Sequence, residues 1–196
     1  MSLRTISLFV FTASILALLQ SCQPEPVPRP RGYFRIELSE KAPKQVEAPC
    51  GIKFDLPKYA GIERLQGAGK DTCWFNVYAP RYNARLHLSF IEVDNNLQNL
   101  VEDAYQFAFQ HEQKANAITR TPIISNDGKS SGLLYDLTGN VASPVQFFVT
   151  DSTTHFIRGG LYFQNLPNED SLAPVVKYLR EDVIRIMETI RWKENN

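Results

Sequence analysis

Between Leu172 and Ile190 the residues Leu172, Val175, Val176, Leu179, Val183, Ile186, Met187 and Ile190 recur every three or four positions. That is the period of a helix with one continuous apolar stripe, and a stripe of this length has to be buried against a broad apolar surface. The spacing predicts a helix from about Ser171 to Ile190, capped by Ser171, with Pro174 in the first turn where its missing N–H does least harm. Lys177, Arg180, Glu181, Arg185 and Glu188 fall on the other side. They read as a solvated face, with Glu181 and Arg185 paired at i,i+4.

The preceding chain supplies that surface. Ile52, Phe54 and Leu56 alternate with Lys53 and Asp55 up to Pro57, Trp74 to Ala79 is an aromatic-rich run stopped by Pro80, and Leu86, Leu88 and Phe90 alternate up to Val93. Such alternation is the mark of half-buried strands. Asn95 and Asn96 offer N-caps for a helix from Leu97 to about Ala115, with Leu97, Leu100, Val101, Ala104, Ala108 and Ala115 near one face and Tyr105, Phe107 and Phe109 widening it. Ile118 to Ser125 and Gly132 to Thr138 flank Asn126-Asp127-Gly128-Lys129, and Val145 to Thr150 and His155 to Phe163 flank a polar tetrapeptide. Both read as hairpins. The expected fold class is α+β, an antiparallel sheet of about seven strands covered by two long helices, with no alternating βαβα pattern.

The N-terminus sets the compartment. Ile6 to Leu19 is an apolar run of 14 residues behind Arg4. It is too short for a bilayer span of about 20 residues and suits the core of an export signal. The run ends at Leu19-Gln20-Ser21-Cys22, which fits a bacterial lipobox except at Gln20. The expected organisation is a signal peptide over residues 1–21, a lipidated Cys22 and Pro-rich tether over 22–32, and a single globular α+β domain over 33–196. The two or more fatty chains of a bacterial lipoprotein, among them palmitate, anchor stably to a membrane where one does not. Alternating prolines from Pro24 to Pro30 fix an extended spacer of about 3.1 Å per residue; a ligand for an aromatic groove is the other reading of the same segment. Position 23 is Gln rather than the Asp that retains lipoproteins in the inner membrane, and no acidic run follows. The outer membrane, on its periplasmic leaflet, is the expected location.

Of 21 basic and 21 acidic residues, only Arg4 is lost with the signal. The near-neutral remainder leaves no broad positive field, so nucleic acid is not expected as a partner. Once Cys22 is assigned, Cys50 and Cys73 are left as a pair in an exported chain, and a disulfide is the default. Two reduced buried thiols are the alternative, with a metal or catalytic thiol unsupported by spacing. Gly67-Ala68-Gly69-Lys70-Asp71-Thr72 lacks the Ser or Thr that a phosphate loop needs after Lys. His87, His111 and His155 share no metal spacing. Asp151, Ser152 and His155 lie in a hairpin turn that would not organise a triad. No catalytic residue, metal site or cofactor is expected.

Pro30-Arg31-Gly32-Tyr33-Phe34-Arg35-Ile36, Cys73-Trp74-Phe75-Asn76, Arg85-Leu86-His87-Leu88-Ser89, Gly132-Leu133-Leu134-Tyr135-Asp136, Gln146 to Ser152 and the terminal Ile190-Arg191-Trp192-Lys193 closely resemble the gliding motility lipoproteins GldD of Bacteroidetes. The resemblance covers nearly the whole chain after the signal. It implies a non-enzymatic lipoprotein of the gliding apparatus, linked to type IX secretion, whose partners are other gliding motility lipoproteins and envelope proteins. It supplies no catalytic residues. As partner-binding candidates the sequence offers Tyr33, Phe34 and Ile36, just past the tether, and Trp74. For the first three, docking on their own domain as an extra edge strand is the expected arrangement, with docking on another protein as the alternative. Of Trp74 and Phe75, at least one is expected in the core, because neighbours in a strand face opposite ways. A periplasmic enzyme or small-ligand binder with an aromatic-lined pocket is the competing reading.

Overall fold

Each alternating stretch forms a strand in the computed structural model, which describes residues 36–65, 72–110 and 114–193. In chain order the elements are β1 (Lys44–Glu47), β2 (Lys53–Leu56), β3 (Gly61–Arg64), β4 (Thr72–Ala79), β5 (Ala84–Glu92), α1 (Leu97–Phe109), β6 (Ala115–Ile124), β7 (Ser131–Gly139), β8 (Val145–Thr150), β9 (His155–Phe163) and α2 (Glu169–Thr189). Seven strands form one sheet in the order β3-β4-β5-β9-β8-β7-β6, antiparallel throughout. The expected seven is met with a different membership. The stretch ending at Leu56 does not join the sheet but pairs with β1 as a separate ribbon, and the edge place goes to β3, whose Glu63 and Arg64 hide any apolar alternation.

The helices cover opposite faces. On one face Phe75, Leu88, Phe147, Val149 and Ile157 meet Val175, Leu179, Val183, Ile186 and Met187 of α2, together with Phe54 of the ribbon. On the other, Tyr135, Leu137, Phe148 and Phe156 meet Leu100, Ala104 and Ala108 of α1. Fitting two layers onto β8 and β9 requires close approach. A β-carbon on Gly159 would stand 2.3 Å from the Phe147 ring, so the centre of the sheet admits no side chain there.

Helix boundaries differ from the expected ones. α1 has 13 residues and ends at Phe109; Ala115 instead opens β6, opposite Gly139 of β7. An alanine suits either element, and the ladder to β7 decides. Asn96 occupies the N-cap of α1 without a side-chain cap bond, its Oδ1 accepting from the Asp94 N–H at 3.0 Å. α2 begins two residues before Ser171, and its cap is Asn168, whose Oδ1 accepts the Ser171 N–H at 3.2 Å. Pro174 therefore stands in the second turn.

The charged side of α2 is only partly solvated. Arg180 clamps Asp136 of β7 through two bonds of 2.6 and 2.8 Å, and Glu181 pairs at 3.0 Å with Lys41 in place of the expected Arg185.

Candidate functional site

Strand alternation splits β4 between two environments. Phe75 is fully buried, whereas Trp74 keeps 43% of its surface exposed on the opposite face and Tyr78 37%. This is the face that α1 covers; its cluster takes in Tyr135 and Leu137 of β7, Phe148 of β8, Phe156 of β9 and Ile91 of β5, and the rest of the β3-β4-β5 wing keeps Trp74 and Tyr78 exposed. Register carries one row across the open wing, Glu63 to Asn76 to His87 to Gly160 to Gln146. The buried Asn76 amide donates to Glu63 Oε2 at 3.1 Å, which leaves its Oδ1 to accept from His87 Nδ1 at 2.7 Å. That bond fixes the imidazole tautomer.

Burial and the nearby Arg85 cation hold the His87 pKa below its usual value, against the pull of Glu63. The ring is thus neutral at pH 7 and lies edge-on to Tyr162, 5.2 Å between centroids. The Asn76 bond, joined by Arg85 at 3.5 Å, keeps the Glu63 carboxyl below the ordinary range. Further along the row, Gln146 is buried, and its Nε2 is the one buried side-chain polar atom without a hydrogen-bond partner among the described residues. The result is a rigid polar row flanked by exposed Trp74 and Tyr78, with Arg85 at its edge, the residue types enriched in protein interfaces.

The family described as gliding motility lipoprotein GldD is matched over residues 23–192. The chain belongs to that family. No curated protein matches it. Among solved structures it is similar to the cyanobacterial PsbP protein CyanoP of Synechocystis sp. PCC 6803, at 13% identity and a TM-score of 0.46 over 82% of this chain and 98% of that one.

Cys22, Tyr33, Phe34, the 66–71 part of the glycine-rich loop and His111 lie outside the described residues. Ile36 packs half-buried against the α2-side core, without forming an edge strand, since pairing begins only at Lys44. Ile36 and Trp74 therefore belong to opposite faces and do not form one site. Cys50 and Cys73 are joined in a disulfide, 6.3 Å between Cα atoms. It staples the β1–β2 turn, where Cys50 takes a left-handed backbone (φ 68°), to β4.

Two features of this GldD-family chain escaped the sequence reading. Lys41 reaches from the entering segment to Asp182 of α2 at 2.9 Å, donates to the Tyr178 carbonyl at 2.7 Å and lies 4.2 Å over the Tyr178 ring. Tyr59 also donates to Asp182, Tyr178 donates to the Ser39 carbonyl, and Ser39 in turn donates through its N–H to Tyr82 at 2.8 Å. The available signal was Asp182 itself, a charge set among Leu179, Val183 and Ile186 on the apolar stripe. The second feature is the bond between Asp151 and His155, residues that the sequence places only in a hairpin turn. The cavity beside Tyr59 is only about 30 Å³, about the room of one water, so this aromatic cluster is a clasp rather than the small-molecule pocket of the competing reading. Among the described residues, no three His, Cys, Asp or Glu side chains converge to hold a metal.

Proposed function

We propose that this GldD-family protein is a non-catalytic component of the gliding machinery, associated with the type IX secretion system, that acts through protein contacts from the periplasmic leaflet of the outer membrane. Cleavage after residue 21 and lipidation of Cys22 hold it there, with residues 22–32 as tether and 33–196 as the folded body. Its partners are other gliding motility lipoproteins and envelope proteins of a Bacteroidetes cell, and the open β3-β4-β5 wing bearing Trp74 is the contact face.

The observation that carries this reading is the family match over residues 23–192. The contact face is supported by exposed Trp74 and Tyr78 around a hydrogen-bonded row that needs no rearrangement to meet a partner. The anchor is supported by the lipobox around Cys22.

Deleting the protein from its host is expected to abolish spreading on agar, and a deletion strain that spreads normally overturns the gliding role. Cys22→Ala should move the protein from the membrane to the soluble fraction; persistence in the membrane defeats the anchor assignment. A photo-crosslinker at position 74 should capture envelope proteins from intact cells, and one placed at Lys177 on α2 should not. Equal capture at both positions rejects the Trp74 face.

A further inference from the structure

At the end of the sheet where β8 turns into β9, the chain closes a tight corner with Ser152 in the left-handed region (φ 67°). Asp151 organises it. One carboxylate oxygen accepts the N–H groups of Thr153, Thr154 and His155 at 3.0, 2.9 and 2.9 Å, and the other accepts from His155 Nδ1 at 2.5 Å. Burial alone would raise this carboxyl's pKa; the backbone bonds and the His155 ring outweigh it and hold the pKa well below the usual range. Asp151 is thus a fixed anion. With Nδ1 committed, the Nε2 of His155 has no partner among the described residues and is not buried. The ring is locked by parallel stacking on Trp192, at 5.1 Å and 4°, and the indole is anchored by its N–H donated to Ser130 Oγ at 2.8 Å.

This pair borders an open cleft of about 660 Å³, within the size range of small-molecule sites. Lys53, Lys129, Arg191 and Lys193 bring four positive charges to its wall, and Glu47, Asp127 and Asp151 three negative ones. Each acid is already engaged. Asp151 is held as described, Asp127 accepts from Ser125 Oγ at 2.7 Å and from the Lys129 N–H at 3.0 Å and pairs with Arg191 at 3.2 Å, and Glu47 faces Lys53 at 3.9 Å. The ammonium groups of Lys129 and Lys193 have no acidic partner among the described residues. Lys193 is nonetheless placed, because its stem lies on Gly51 so closely that a β-carbon there would stand 2.8 Å from it.

We infer that this cleft binds a ligand carrying a phosphate group, held by Lys129 and Lys193 beside the His155 imidazole. Separate ammonium groups suit the oxygens of a phosphate approached from several sides, whereas a carboxylate is best met by an arginine fork. The one arginine of the cleft is already partly engaged, its Nε with Asp127 at 3.2 Å and its Nη1 with the Ile190 carbonyl at 2.7 Å. His155 stands opposite Glu92, at the far end of β9 from Phe163. The entering chain is instead tied at the near end, where Glu37 meets Arg81 at 3.3 Å. Nine residues of strand, about 30 Å, separate the two ends.

The chain has two tryptophans, so the full-length, detergent-solubilised Trp74→Phe protein reports on Trp192 alone. Titration with glycerol 3-phosphate should give a saturable change in its fluorescence. The affinity should fall at least about tenfold in the Lys129→Ala/Lys193→Ala double variant and stay unchanged in Lys177→Ala. All variants should share one thermal midpoint within about 2 °C. A parallel titration with phosphatidic acid vesicles, against phosphatidylcholine alone, separates the sources. A response to the soluble ester supports a solute, and one to phosphatidic acid only supports a lipid phosphate. No saturable change below about 10 mM in either arm overturns the proposal. So does a change that sodium chloride reproduces at equal ionic strength, or equal affinity in the double variant, which would mean an adventitious ion only.

Discussion

Lys41 donates to Asp182 at 2.9 Å across 141 positions of sequence. It joins the segment through which the chain enters the domain to the middle of α2, and the Asp182 side chain it meets is only 9% exposed. Removing one partner of such a pair leaves the other charge stranded.

Asp182→Ala should therefore destabilise the protein by about 2 to 4 kcal/mol, read as a lower urea midpoint with an unchanged slope. Lys41→Met, which keeps much of the stem over the Tyr178 ring but leaves the Asp182 carboxylate without its cation, should lower the midpoint as well. If Asp182→Ala leaves the midpoint where it was, the clasp contributes nothing to stability.

The same clasp makes the domain sensitive to alkali. Burial, and then the Asp182 carboxylate, raise the Tyr59 pKa far above 10, and burial pushes that of Tyr178 up to about 12. Unfolded phenols lose their protons near pH 10 while the folded ones keep theirs, so the folded state binds more protons and stability falls as pH rises. The contribution is whole below pH 10 and drains away from there through about pH 12. Urea midpoints measured at pH 8 and pH 11 should drop for the wild-type chain, and drop less for Tyr59→Phe.

The disulfide closes a loop over a sequence separation of 23. Replacing Cys50 and Cys73 by Ala together should cost about 3 kcal/mol, mostly by freeing the unfolded chain. Equal denaturation midpoints with and without a reductant would contradict this.

Trp74 and Phe75 are neighbours in sequence with opposite consequences. Phe75→Ala opens a cavity in the α2-side core and should cost about 3 to 5 kcal/mol. Trp74→Ala should cost about 1 kcal/mol or less yet impair spreading on agar at normal protein levels. A Trp74→Ala strain that spreads like its parent removes Trp74 from the contact face.

Much of this was legible in the residues. The hairpins β6–β7 and β8–β9, the stripe of α2 and the inward half of β4 and β5 follow from period and turn chemistry, which act between residues close in sequence. The pairing of Cys50 with Cys73 follows from counting. The family could be read from the motifs at Gly132 to Asp136 and Gln146 to Ser152. What escaped was short or long-range. β1 and β3 each carry a single large apolar residue, Val46 and Ile62, too few to set a period, and α1 stops short because β6 gains more from pairing with β7 than Ala115 gains from another helical turn.

By itself, then, the amino-acid order determined both helices, seven of the nine strands and which side of each is apolar, because those choices are made within a few residues. Only the tertiary structure decided that the two helices lie on opposite faces, that β9 sits between β5 and β8, that Lys41 finds Asp182, and that His155, Trp192 and Lys129 share a cleft. These depend on which apolar surfaces pack together and which buried charges are then satisfied, and no local pattern encodes such distances.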